Sequence, residues 1–170
     1  MSRTILITRH RAWHEPTEEQ KASGNYAKRT MRWNGLVLHI ENEAGSVRTF
    51  RNPDGSIGEK RLVYPYGYVC DTTGVDGDEV DVFVGPNPDA SFVYVVHARR
   101  KGQWRKYDED KAMLGFDSAE DARRAFLLCY DDPRFLGDVT TLPTAWFIDK
   151  VRATKDKPSM IKSLFLPRRY

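Results

Sequence analysis

Three aspartates, Asp76, Asp78 and Asp81, fall within six residues, with Gly77 between the first two and the apolar run Val82–Val84 after the last. In an extended chain successive side chains alternate faces, so Asp76 and Asp78 share one side and Asp81 has the opposite parity. A bend at Gly77 or Glu79, leading into a strand over 80–84, brings all three together. Converging carboxylates repel one another strongly unless a cation sits among them. An all-oxygen donor set selects hard ions: Mg²⁺, Mn²⁺ or Ca²⁺. The helix–loop–helix calcium site is excluded, because it needs acids at positions 1, 3 and 5 with glycine at 6. Here acids stand at 1, 3 and 6 with glycine at 2. For such a run taken alone, a solvated acidic turn is the plain alternative.

The elements that must position these acids are short strands followed by helices. Leu36–Ile40 reads as a strand between Gly35 and Glu41, and residues 45–51 as its return strand in a hairpin, closed by the turn chemistry of Asn52-Pro53-Asp54-Gly55. Strands are expected over 81–84 and 92–97, mostly extended chain over 106–114, and a further short strand over 2–8. A helical turn is expected after Thr17, and Gly24–Arg29 reads as a basic loop. Ser118 is a good N-cap for a helix over 119–130 whose face Ala122, Ala125, Phe126 and Cys129 packs on the sheet. A second helix, about 143–153, has Trp146, Phe147 and Val151 as its apolar side. Strands first and helices after is the order of an α+β domain, a curved sheet or small barrel with helices against it.

Composition bounds the partners. With 170 residues, 40% hydrophobic and 30% charged, the chain is one ordinary globular domain. Residues 1–32 carry seven Lys/Arg against three acids and residues 153–170 five against one, while residues 33–152 carry fifteen against twenty. An acidic centre with basic ends suits a metal site flanked by arms that touch nucleic acid or another acidic partner; solvated ends are the plainer reading. Two cysteines make no disulfide framework and the four histidines have no zinc spacing. No run reaches membrane-spanning length and Thr4–Thr8 is too short for a signal peptide, so a cytoplasmic protein is expected.

Residues 76–82, preceded by Tyr66-Gly67-Tyr68, resemble the active-site motif of the soluble, Mg²⁺-dependent (family I) inorganic pyrophosphatases, over roughly residues 33–131. Segments 24–26, 40–48, 80–86 and 111–116 resemble, more nearly, the pyrophosphatase-like domains of phage and prophage proteins, which implies a host-cytoplasm setting. The resemblance implies a five-stranded, oligonucleotide-fold-like β-barrel with flanking helices at 33–152, between a basic N-terminal extension (1–32) and a basic C-terminal tail (153–170). It implies Mg²⁺, with Mn²⁺ as substitute, on Asp76 and Asp81, with Glu41 near the outer metals. Asp78 matches the general base. Tyr66 and Tyr130 match tyrosines of the site, and Arg48 stands where the family has a phosphate-binding lysine. Glu109 and Lys111 resemble a metal-and-phosphate Asp-x-Lys pair, and Lys60 or Arg61 stands in for a phosphate arginine. Departures are His97 in place of a metal carboxylate, Asp131 in place of a phosphate lysine, and no glutamate near Phe50.

Three functions follow. The first is Mg²⁺-dependent hydrolysis of pyrophosphate or a related small phosphoanhydride. In it Asp78 handles the water while Arg48, Lys111, Tyr130 and Arg61 hold phosphate. The second is a catalytically weak binding or interaction module of a phage protein, favoured by His97 and Asp131. The third is nucleic-acid binding through the basic ends, for which Trp13, Trp33, Trp104 and Trp146 are too scattered to make a stacking platform. A homo-oligomer is left open. Taken alone, Tyr130 is a half-buried core tyrosine and Arg48 and Lys111 are solvated charges; association with the aspartates gives them a role.

Overall fold

The computed structural model describes residues 16–23, 26–52 and 54–162, so the strand expected over 2–8 lies outside the described residues. Thr17 and Gln20 bond reciprocally at the start of α1 (Glu18–Ser23), the helical turn expected there. In residues 36–42 Leu36, Leu38 and Ile40 are buried while Val37, His39 and Glu41 are half-exposed. That two-residue period makes β2 (Leu36–Asn42) a strand with one face in the core. It pairs antiparallel with β1 (Arg29–Trp33) through Asn34 and Gly35, whose φ values of 46° and 86° suit a tight two-residue hairpin.

The expected hairpin between residues 36–40 and 45–51 does not form. Both edges of β2 are taken, by β1 and by β5 (Tyr66–Val69). β3 (Val47–Arg51) folds back on β4 (Ile57–Arg61) instead, as a separate two-stranded ribbon. The turn between them does this locally: Asn52 N–H donates to the Ser56 carbonyl at 2.8 Å and Gly55 takes φ 86°.

The main sheet also contains β6 (Asp81–Val84), β7 (Phe92–Arg100), β8 (Gln103–Leu114) and β9 (Val139–Pro143), in the order β1-β2-β5-β6-β8-β7-β9. It has seven strands, not the five expected. The β6–β8 pairing is parallel and the others antiparallel. One continuous core joins Met31 and Trp33 of β1 to Leu142 of β9, at opposite edges of the sheet, with Phe147 and Val151 of α3 (Thr144–Ala153). Residues from both edges meet in one core only if the sheet curls around α3. Arg152, near the end of α3, accordingly donates to the Gly35 carbonyl in the β1–β2 turn at 3.2 Å. No pairing joins β1 to β9 among the described residues, so the sheet is an open half-barrel. Trp146, expected on the apolar side of α3, is 43% exposed.

On the opposite face Tyr66, Phe83, Tyr94, Val96 and Met113 pack against Ala122, Ala125 and Phe126 of α2 (Ala119–Leu128). Ser118 caps α2 as expected, accepting the Asp121 N–H at 3.1 Å. Phe126 is fully buried, so truncation to alanine costs about 3–5 kcal/mol.

Candidate active site

Register places the site. Tyr68 of β5 lies opposite Asp81 of β6, and Asp81 beside Lys111 of β8. Residues directly across from each other share a sheet face, as do residues two apart on one strand. Tyr66, Tyr68, Asp81, Glu109 and Lys111 therefore all stand on the face that carries α2. Gly67, between the two tyrosines, is a close approach: a Cβ there would lie 1.9 Å from the His39 carbonyl oxygen of β2.

Lys111 is the hub. Its ammonium, 6% exposed, lies 2.5 Å from Asp81 Oδ2, 2.7 Å from Glu109 Oε1 and 3.0 Å from the Tyr66 hydroxyl. Tyr66 OH in turn donates to Asp81 Oδ2 at 2.5 Å. Burial works against the Lys111 charge, but Tyr66, Tyr130, Asp81 and Glu109 outweigh it and hold its pKa well above the ordinary value. Glu109 is pushed up by burial, which Lys111 opposes and Asp81 and Asp76 reinforce. Burial also raises the Tyr66 phenol far above its usual range.

The acidic turn bends where the sequence asks. Gly77 takes φ 93°, Asp76 Oδ1 accepts the Asp78 N–H at 3.1 Å, and Gly74 N–H reaches the Asp78 carbonyl at 2.6 Å. Only Asp81 of the three aspartates is drawn into the hub. Asp76 and Asp78 are exposed on the turn, and the carboxylates that Lys111 bonds are those of Asp81 and Glu109. Asp76 remains close enough to act on Glu109, and both line a small cavity with Glu79, Tyr107 and Asp110.

The β3–β4 ribbon supplies cations from above. Arg48 and Lys60 are directly paired; the Arg48 guanidinium lies 5.5 Å from the Tyr66 ring centroid and the Lys60 ammonium 4.5 Å from that of Tyr130. Arg61 does not join them: it is exposed and donates to the Gly45 carbonyl at 2.8 Å. Burial, then Arg48, lowers the Lys60 pKa against the pull of Cys129 and Asp131. Tyr130 follows α2, stacked on Phe126 at 4.3 Å, and burial pushes its phenol up to about 12.

Glu41 stands apart, on a bulge of β2, with its carboxylate on Lys28 Nζ at 2.9 Å; Lys28 also reaches Tyr68 OH at 3.4 Å. His97 is not at a strand end. It lies within β7, buried, with Nδ1 at 2.6 Å from Asp110 Oδ1 and Nε2 at 2.6 Å from Thr140 Oγ1. Lys28 and Asp110 have no signal in the sequence, since each acts only through a partner far along the chain. Lys60 is legible once the ribbon's register is known.

Among the described residues no three His, Cys, Asp or Glu side chains are gathered closely enough to hold one ion. The donor chemistry still suits a hard cation. Asp81 and Glu109 share a single ammonium, Asp76 adds its field to theirs, and every donor is oxygen.

The family model described as Inorganic Pyrophosphatase matches residues 18–152, from α1 into α3. The chain belongs to the inorganic pyrophosphatase family. The family's span takes in β1, most of which falls in the stretch expected as an extension, and every pyrophosphatase-like position named above. The solved structure of an inorganic pyrophosphatase from Coxiella burnetii is 15% identical, covers 73% of this chain and 94% of its own, and has a TM-score of 0.38. Curated proteins give no match. No helix among the described residues is long and apolar enough to cross a membrane.

Proposed function

We propose that this protein hydrolyses inorganic pyrophosphate, or a related small phosphoanhydride, with Mg²⁺ as its cation and Mn²⁺ as substitute. The reading is carried by one arrangement: Asp81 and Glu109 meet at Lys111 beneath the paired cations Arg48 and Lys60. Acids to seat a hard ion and bases to hold phosphate thus lie on one face, in a chain of this family. Asp76, Asp81 and Glu109 are the residues that would hold the ion. When bound, a divalent cation lowers the pKa of its water and neutralises phosphate oxygens.

The chain's own groups divide the rest. Arg48 offers a bidentate fork to one phosphate and Lys60 a point charge to the other. Tyr130, with its pKa near 12, stays a neutral phenol at working pH and donates to a phosphate oxygen. Lys111 stays charged and fixes Asp81 and Glu109 relative to each other. Tyr66 aims Asp81 through its hydroxyl. Asp78 is the assigned base through the resemblance, and its exposure on the turn leaves it facing water. The phage setting rests on the short segments quoted above.

Asp131 favours a second reading, a binding module with little turnover. It puts an acid next to Tyr130 and acts on Lys60, the cation beside it. Phosphate release from pyrophosphate, with Mg²⁺ and with chelator, separates the two. Cation-dependent release supports hydrolysis; calorimetric binding of pyrophosphate with no release rejects it in favour of the module.

A further inference from the structure

The family match ends at Arg152, yet the chain beyond it is built into the underside of the site. Thr154 is 1% exposed, and its Oγ1 accepts the N–H of Thr73, the residue that leads into the acidic turn, at 3.2 Å. Farther along, the Ile161 N–H donates to Asp110 Oδ2 at 2.7 Å, and the Ile161 side chain is buried in the core formed with α3. Between them Ser159 joins Gly74, Asp76, Glu79 and Glu109 around the small cavity.

Asp110 is the anchor. Its other oxygen holds His97, which holds Thr140 of β9, and the Asp110 and His97 side chains are 6% and 7% exposed. A buried carboxylate is costly unless its oxygens are paired, and both of these are. Asp110 also lies between Glu109 and Lys111 on β8, with its side chain on the opposite face from theirs.

We propose that residues 154–161 form a brace setting the acidic turn against β8, and that Asp110 is a positioning residue for hydrolysis. It acts through the β8 backbone on Glu109 and Lys111, and through the brace on Asp76. The kinetic consequence rests on the pyrophosphatase reading above; the mechanical one does not. A shift of about 1 Å in a catalytic group can cost roughly a hundredfold in rate.

The test compares Asp110→Ala, Asp110→Asn and Thr154→Val in the full chain, by amide hydrogen exchange over residues 73–80 and by steady-state hydrolysis of pyrophosphate. Asn keeps an acceptor for the Ile161 amide, and Val keeps the shape of Thr154 without its oxygen. Expected are faster exchange across 73–80 in Asp110→Ala and Thr154→Val, and kcat lower by roughly ten- to a hundredfold with KM within about threefold. Asp110→Asn should restore most of both. Should Asp110→Ala fail to fold, Thr154→Val carries both readouts alone. Unchanged exchange over 73–80 in the folded variants overturns the brace. Changed exchange with unchanged kcat overturns the positioning role. A wild-type protein that releases no phosphate overturns the function instead, and the exchange data then decide the brace by themselves.

Discussion

Arg48 and Lys60 face each other across the β3–β4 ribbon, and each reaches a different tyrosine of the site, Tyr66 at 5.5 Å and Tyr130 at 4.5 Å. One pair of cross-strand neighbours thus roofs a cluster whose floor is built from three other strands, β5, β6 and β8. Ribbon alternation turns Arg61 to the other side, where it bonds the Gly45 carbonyl.

Lys60→Ala should therefore lower kcat/KM for pyrophosphate by roughly ten- to a hundredfold, the range of one lost charge-assisted bond. Arg61→Ala should change it by less than about twofold. Steady-state kinetics of the two variants checks the register directly, because equal losses would place both cations on substrate.

Lys111→Met leaves Asp81 and Glu109 without their shared ammonium, and should destabilise the protein by about 3 kcal/mol in urea unfolding near neutral pH. The pH dependence has a sign. Burial already holds the Glu109 carboxyl up, and losing Lys111 removes the main opposing influence. A carboxyl whose folded pKa lies above its unfolded value gives stability at low pH that is lost as pH rises through the folded pKa. The variant should be more stable near pH 5 than near pH 8, and unfolding curves at the two pH values check it.

Tyr130 should ionise near 12, against the ordinary value of 10.0. Its raised pKa contributes stability that is complete below pH 10 and is lost between pH 10 and 12. Ultraviolet titration should show one tyrosinate step near 12 missing from Tyr130→Phe. That variant should also lose less stability than wild type across the same window.

The parts legible in the sequence are those with a local cause. Leu36, Leu38 and Ile40 announce β2 by alternation, Ser118 announces α2 by its cap, and Gly77 announces the bend by its need for positive φ. β1, β4 and β9 were not legible: their residues are largely polar, and pairing with neighbours, rather than a hydrophobic pattern, makes them strands. With β4 unread, β3 is assigned the wrong partner, and the five strands expected are the count that the resemblance implies. Glu109 and Lys111 enter the expected site through their resemblance to an Asp-x-Lys pair, and their two-residue spacing on β8 puts them on one face. Asp78 shows the limit of that logic, because the same parity that pairs it with Asp76 turns both outward once Gly77 bends. The joining of Asp110 to His97 and Ile161 spans 13 and 51 residues, distances that no local pattern encodes.

Steady-state phosphate release by Asp81→Asn tests the assigned centre most directly, because Asn preserves the shape and the Tyr66 contact while removing the charge at the hub. A folded variant with activity reduced about a hundredfold or more, beside a wild type that releases phosphate only with a divalent cation, is the expected result. Activity within about threefold of wild type would contradict the assignment of hydrolysis to the Asp81–Lys111 cluster.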